Sequence, residues 1–229
     1  MNDIINGLRQ AFELILSMDK EIYGIIALSL VVTVLSTAIS SMIALPLGVI
    51  MGSREFPAKR TILRLVHTLT GLPPVVAGLL VYLFLSSKGP LGSFELLFSP
   101  AAMVIAQVLI VTPIITALTI AAIKYKCTPV KETCTGLGIG ITRTMLILLH
   151  ESRYAIFSAI LAGYGRAISE VGAVMLVGGN IQYNTRVMTT AIVLETGKGN
   201  YDRALALGMI LLIISFLINW ILQRFQEGK

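Results

Sequence analysis

The chain has 229 residues, of which 55% are hydrophobic and only 13% charged, and its mean hydropathy is +0.85. Soluble domains carry about 25% charged residues, so half of the usual solvated surface is missing and water is not the main solvent of this protein. The length holds five or six spans of ~20 residues with their loops, which excludes an additional motor or catalytic domain of ~100 residues or more.

In chain order, residues 4–16 come first. This stretch is short, carries Arg9 and Glu13, and repeats Ile4, Leu8, Phe12 and Ile15 at helical spacing. The pattern predicts an interfacial helix within an amphipathic N-terminal segment, 1–20, and leaves a sixth span open. No basic start or small-residue cleavage site marks a secretory signal, so no removal is expected. Five apolar runs then follow, at 22–51, 62–85, 101–123, 155–177 and 204–222. Each reaches the ~20 residues a span requires, and none alternates with a period of two, so all five read as helices. The fold class is an all-α polytopic bundle over 21–229, with a long polar loop at about 124–153.

Eleven of the 18 Lys and Arg residues fall on one side of these spans: four from Arg54 to Arg64, five from Lys124 to Arg153, then Arg224 and Lys229. Six fall on the other side, and Arg166 lies inside a span. The richer side is expected in the cytoplasm, which puts the N-terminus outside and the C-terminus inside. The net charge of +6 is accounted for by this bias, and nucleic acid is not an expected partner. Cys127 and Cys134 share the cytoplasmic loop at a spacing that matches no zinc site, and read as reduced thiols.

Within the second run, Pro73 and Pro74 each remove a backbone donor, so the helix must kink or break there, while Gly71 and Gly78 permit a close neighbour. The pair reads either as a joint in a moving bundle or as ordinary membrane packing. Pro46 and Pro113 raise the same question. In the loop, Thr128 before Pro129 predicts a helix start, and Gly136, Gly138 and Gly140 predict its end two turns later. Two turns do not hold in water alone, so this short helix must dock on its own bundle, on headgroups or on a cytosolic partner.

Glu132, Thr133, Cys134 and then Gly138 resemble the EAA-loop signature of ABC-importer permeases, with Thr133 and Cys134 in place of the usual alanines. The Leu-Pro that normally follows is absent, and LLHESRY stands in its place. The ordered segments LSTAISSMIALPLGVIMG, LTGLPPVVAGLL, GPLG and GRAISEVGAVMLVGGN are similar to oxyanion permeases of the molybdate and tungstate group. The tail TRVMTTAIVLETGKGNYDRALALGMIL looks most like the tungstate members. The resemblance implies a homodimeric pore in the cell membrane, fed by an extracytoplasmic binding protein and driven by two ATP-binding cassette subunits. It assigns the coupling role to Pro129, Lys131, Glu132, Thr133, Cys134, Gly136 and Gly138.

No phosphate-cradling Gly-x-x-x-x-Gly-Lys-Ser/Thr stretch is present, so ATP hydrolysis is expected on another chain. No paired site is formed by His67 and His150, and no nucleophile has a base, so neither catalytic residues, a metal nor a cofactor is expected here. The rival readings are a secondary transporter or channel for small anions, with Glu170 as its candidate coupling carboxylate, and a membrane-embedded hydrolase. Arg166 and Glu170, four apart, share a helical face and can neutralise each other. They read either as a structural pair close to the gate or as part of the passage. The polar stretch 178–200 is too polar to span and fits a short re-entrant helix over 187–194 or a cap on the bundle. Its hydroxyls, Thr189 among them, and Arg186 are candidates to guide an incoming oxyanion.

Overall fold

The computed structural model describes residues 20–227, and the helix expected over 4–16 lies outside them. Eight α-helices are formed among the described residues: α1 (Lys20–Ser53), α2 (Lys59–Thr70), α3 (Pro74–Leu85), α4 (Pro100–Gly136), α5 (Ile141–Ile168), α6 (Gly172–Gly178), α7 (Met188–Gly197) and α8 (Tyr201–Glu227). A 3-10 turn, Gly92–Phe94, lies between α3 and α4. Helices α1, α4, α5 and α8 are long and apolar enough to cross a membrane, and α2 with α3 makes a fifth span if that bent pair is counted as one.

The breaks follow from local chemistry. Single prolines leave long helices intact, with Pro46 inside α1 and Pro113 and Pro129 inside α4. The tandem pair does break the chain. Pro73 is locked at φ −61° by its ring and pushed to ψ 127° by the proline after it, while Pro74 takes the first helical position, where no N–H is needed. The second run is therefore two helices rather than one kinked span.

The loop between the third and fourth runs also differs from expectation. No new helix starts at Thr128, because α4 continues unbroken from the apolar run through Pro129 to Gly136. An exiting helix already supplies the hydrogen bonds that a fresh start would have to cap, so the proline costs one bond instead of founding a terminus. The end is where the glycines place it. Gly138 adopts φ +68°, and the N–H groups of Ile139 and Gly138 donate to the carbonyls of Cys134 (2.8 Å) and Thr135 (3.1 Å), a Schellman closure. α5 starts three residues later, so the loop is the tip of a helical hairpin rather than a free two-turn helix.

The fourth run, 155–177, is likewise divided. α5 stops at Ile168, where the Ser169 hydroxyl donates to the Arg166 carbonyl (3.1 Å) and competes with helix continuation. α6 then begins under the Glu170 carboxylate, which accepts the Ala173 N–H at 3.1 Å.

The chain forms two compact units that alternate along the sequence. In one, made of 20–36, 73–107 and 165–227, Ile22 and Ile25 of α1 pack with Met188 and Ala191 of α7 and with Ala206, Leu207 and Ile210 of α8. Also in this unit α3 lies against α6. The contact is so close that a Cβ on Gly78 would stand 2.6 Å from the Cα of Ala173. The other unit, 37–72 and 108–164, centres on Ile123, Cys127 and Leu148, with Val49 and Met145 against them. Gly48 and Gly52, one turn apart on α1, let it approach Thr119 and Ile123 of α4, a small-xxx-small contact of the kind membrane helices use.

Candidate functional site

Polar side chains inside the first unit converge where α5 ends and α7 begins. Glu170, 3% exposed, pairs through Oε2 with an Arg166 guanidinium nitrogen at 2.9 Å, while its Oε1 caps α6. The Thr189 hydroxyl donates to the Glu170 carbonyl at 2.9 Å. On α1, the Ser29 hydroxyl donates to the Ile25 carbonyl (2.6 Å) and accepts the Met188 N–H (2.8 Å), so it ties the first turn of α7 to α1. Gln107 of α4 receives the Ser36 hydroxyl on Oε1 at 2.6 Å and donates through Nε2 to the Ala167 carbonyl at 3.0 Å. Ser29, Thr33, Gln107, Glu170 and Thr189 border a cavity of about 10 Å³. That is room for about one water, and a four-oxygen anion does not enter it in this conformation.

Of the residues marked from sequence, Arg166, Glu170 and Thr189 are thus brought together. Pro73 and Pro74 start the helix whose Val75 side chain reaches the α-carbon region of Gly172, two residues from Glu170. Arg186 stands elsewhere in the unit. Its guanidinium is paired with Glu21 at 3.1 Å, and Glu21 also accepts the Gln182 amide (2.9 Å) and lies 3.7 Å from Arg203. The short helix expected over 187–194 is present as α7, with Thr189, Thr190 and Glu195 buried. Sequence reasoning missed Ser29, Ser36 and Gln107. Signals were there: Ser29, Thr33, Ser36, Thr37 and Ser40 fall on one face of α1 at helical spacing, and all are buried. Gln107 is the sole amide in the apolar run 101–123.

The residues to which the resemblance assigns coupling lie in the second unit, on the last turns of α4 and the turn after it. Pro129, Glu132, Thr133, Gly136 and Gly138 line the hairpin tip; Glu132, Thr133 and both glycines are exposed. Two others face inward. Cys134 is 3% exposed, and Lys131 donates from Nζ to the Ser53 carbonyl at the end of α1. Cys127, also buried, has its sulfur 3.9 Å from the same carbonyl. Leu137 and Ile141, 70% and 64% exposed, flank the turn and leave an apolar tip bare.

Residues 44–228 match the family described as the inner membrane component of binding-protein-dependent transport systems. The chain belongs to that family. It is an inner membrane component with several spanning helices, and in such systems the ATPase and the substrate-binding protein are separate partners. A component of this kind is a transport subunit rather than an enzyme, and the family implies no cofactor on it. The component is 40% identical to the tungstate uptake system permease protein TupB of Peptoclostridium acidaminophilum over 99% of its own length and 100% of that protein. It is 40% identical to a probable anion ABC transporter permease protein of Haloferax volcanii, covering 89% of the chain and 90% of that protein. With TupB of Campylobacter jejuni subsp. jejuni the identity is 36%, over 98% and 94%.

Proposed function

We propose that this chain is the permease of an ABC importer for tungstate or the closely related molybdate. The observation that carries the reading is the 40% identity to a tungstate uptake permease along the whole of both chains. The permease works as a homodimer around a shared passage, with the tip at Glu132, Leu137 and Gly138 seated on the ATP-binding subunit and the N-terminal side of α1 facing the binding protein. The Arg166–Glu170 pair serves as a structural lock beside the gate, because a carboxylate in a one-water cavity repels an anion rather than holding it. With Arg186 paired to Glu21, its pull on an entering oxyanion is largely offset.

Two measurements test this. Deletion of the gene is expected to abolish cellular tungsten accumulation from trace tungstate, and a detergent pull-down on the chain is expected to recover an ATPase. The Gly138→Asp variant places a charged side chain where the backbone is left-handed, and is expected to insert normally yet lose uptake. Normal uptake by that variant removes the coupling role of the tip. Tungstate transport in proteoliposomes holding this chain alone overturns the ATP-driven reading in favour of an ATPase-independent carrier.

A further inference from the structure

Beside the end of α1, the second unit carries a cavity of about 580 Å³ whose rim holds Arg54, Lys59, Lys124 and Lys131 against the single carboxylate of Glu55. Two of these cations are already engaged. Lys59 Nζ donates to Glu55 Oε1 and to the Arg54 carbonyl, both at 2.8 Å, and Lys131 caps the Ser53 carbonyl. The Arg54 guanidinium and the Lys124 ammonium form no ion pair among the described residues. The Glu55 carboxyl is held below the usual carboxylate range chiefly by the hydrogen bond and charge of Lys59, with smaller help from Lys124 and Arg60.

Position along the helix says what such a pocket meets. Lys124 is 24 residues beyond Pro100, about 36 Å of rise along α4. A hydrocarbon core is about 30 Å thick, so Lys124 emerges at the level of the phosphates on the cation-rich side. The mouth is not wholly polar, since Met145 lines it too. Next to it runs α2, which buries none of its residues and carries exposed Arg60 and Arg64 on one side and exposed Ile62 and Leu65 on another. A helix of that kind lies in the headgroup plane, apolar side towards the acyl chains.

We propose that this pocket binds the phosphate of an anionic phospholipid of the inner leaflet, held by Arg54 and Lys124 with its acyl chains alongside α1. A free tetrahedral oxyanion shares the phosphate chemistry, but the apolar mouth and the amphipathic helix beside it favour the lipid.

The test is native mass spectrometry of the full chain in detergent, with phosphatidylglycerol or phosphatidylcholine added. One phosphatidylglycerol is expected to stay bound, in preference to phosphatidylcholine. The double variant Arg54→Gln, Lys124→Gln is expected to weaken that retention by about tenfold or more. Arg54→Lys with Lys124→Arg keeps the charges and is expected to keep the lipid, as is Lys88→Gln, which neutralises an exposed lysine on the opposite face of the membrane. Equal retention by the double Gln variant and the unsubstituted chain overturns the proposal. Loss of the lipid from the charge-preserving variant overturns it as well. Inorganic phosphate or tungstate is added in a second arm: failure to displace the lipid at millimolar levels supports a lipid site, and displacement there overturns it in favour of a free-oxyanion site. Retention is read without transport, so failure here leaves the import reading standing, and a failed uptake assay leaves this one standing.

Discussion

Glu170 shows how one side chain organises a junction. Its carboxylate is nearly inaccessible, pairs with Arg166, and caps α6, while its carbonyl receives Thr189 from α7. Removing one member of a fully buried pair costs about 3 to 5 kcal/mol. The Arg166 side chain is 32% exposed, so water screens part of that loss, and Glu170→Gln is expected to lower stability by about 2 kcal/mol. Thermal unfolding in detergent measures it. Adding Arg166→Gln is expected to recover part of the loss, since no charge is then left unpaired; a double variant no more stable than the single one means that pairing is not the reason. That these two residues pair was readable from their spacing of four. That Glu170 also starts a helix was not, because capping depends on the chain leaving the helix at Ser169, which a continuous apolar run conceals.

At the scale of elements, four of the five apolar runs overlap a long helix, since a backbone in lipid has to bond with itself; α1 and α8 keep close to the expected bounds, whereas α4 runs on to Gly136 and α5 is shifted to Ile141–Ile168. Interruptions were harder to read. A proline was an ambiguous sign: Pro129 looked like a helix start and sits inside α4, whereas Pro73 and Pro74 end one helix and begin another. Tandem placement makes the difference, as it fixes both φ and ψ of the first ring. Glycine needs its neighbours to be understood. Gly78 faces the backbone of Ala173, so Gly78→Val is expected to force α3 and α6 apart and cost about 1 to 3 kcal/mol. Gly24 in α1 has open space where a methyl group would stand, with nothing within 4 Å, and Gly24→Ala is expected to be neutral or to stabilise by up to about 1 kcal/mol. Unfolding of both variants side by side checks the contrast, and an equal effect of the two removes the close-contact argument.

Over the whole molecule, the charge bias predicts an orientation that can be tested. Impermeant maleimide added to intact cells is expected to label Lys88→Cys and to spare Lys126→Cys until the membrane is opened. Both native thiols are buried, which keeps the background low. Labelling of the Lys126→Cys variant in sealed cells means that the cation-rich side faces out. Composition and apolar patterning alone determined that this chain is a helical membrane protein, because the cost of burying polar backbone or charge in hydrocarbon is paid locally, residue by residue. Ordered motifs added the transport family. Which hydroxyls meet Gln107, that Arg186 is held by Glu21, and that the loop after α4 is a hairpin closed at Gly138 were decided only by tertiary structure. Such contacts join residues far apart in the chain, as Arg186 and Glu21 are, or turn on the whole course of a helix, and no local pattern records them.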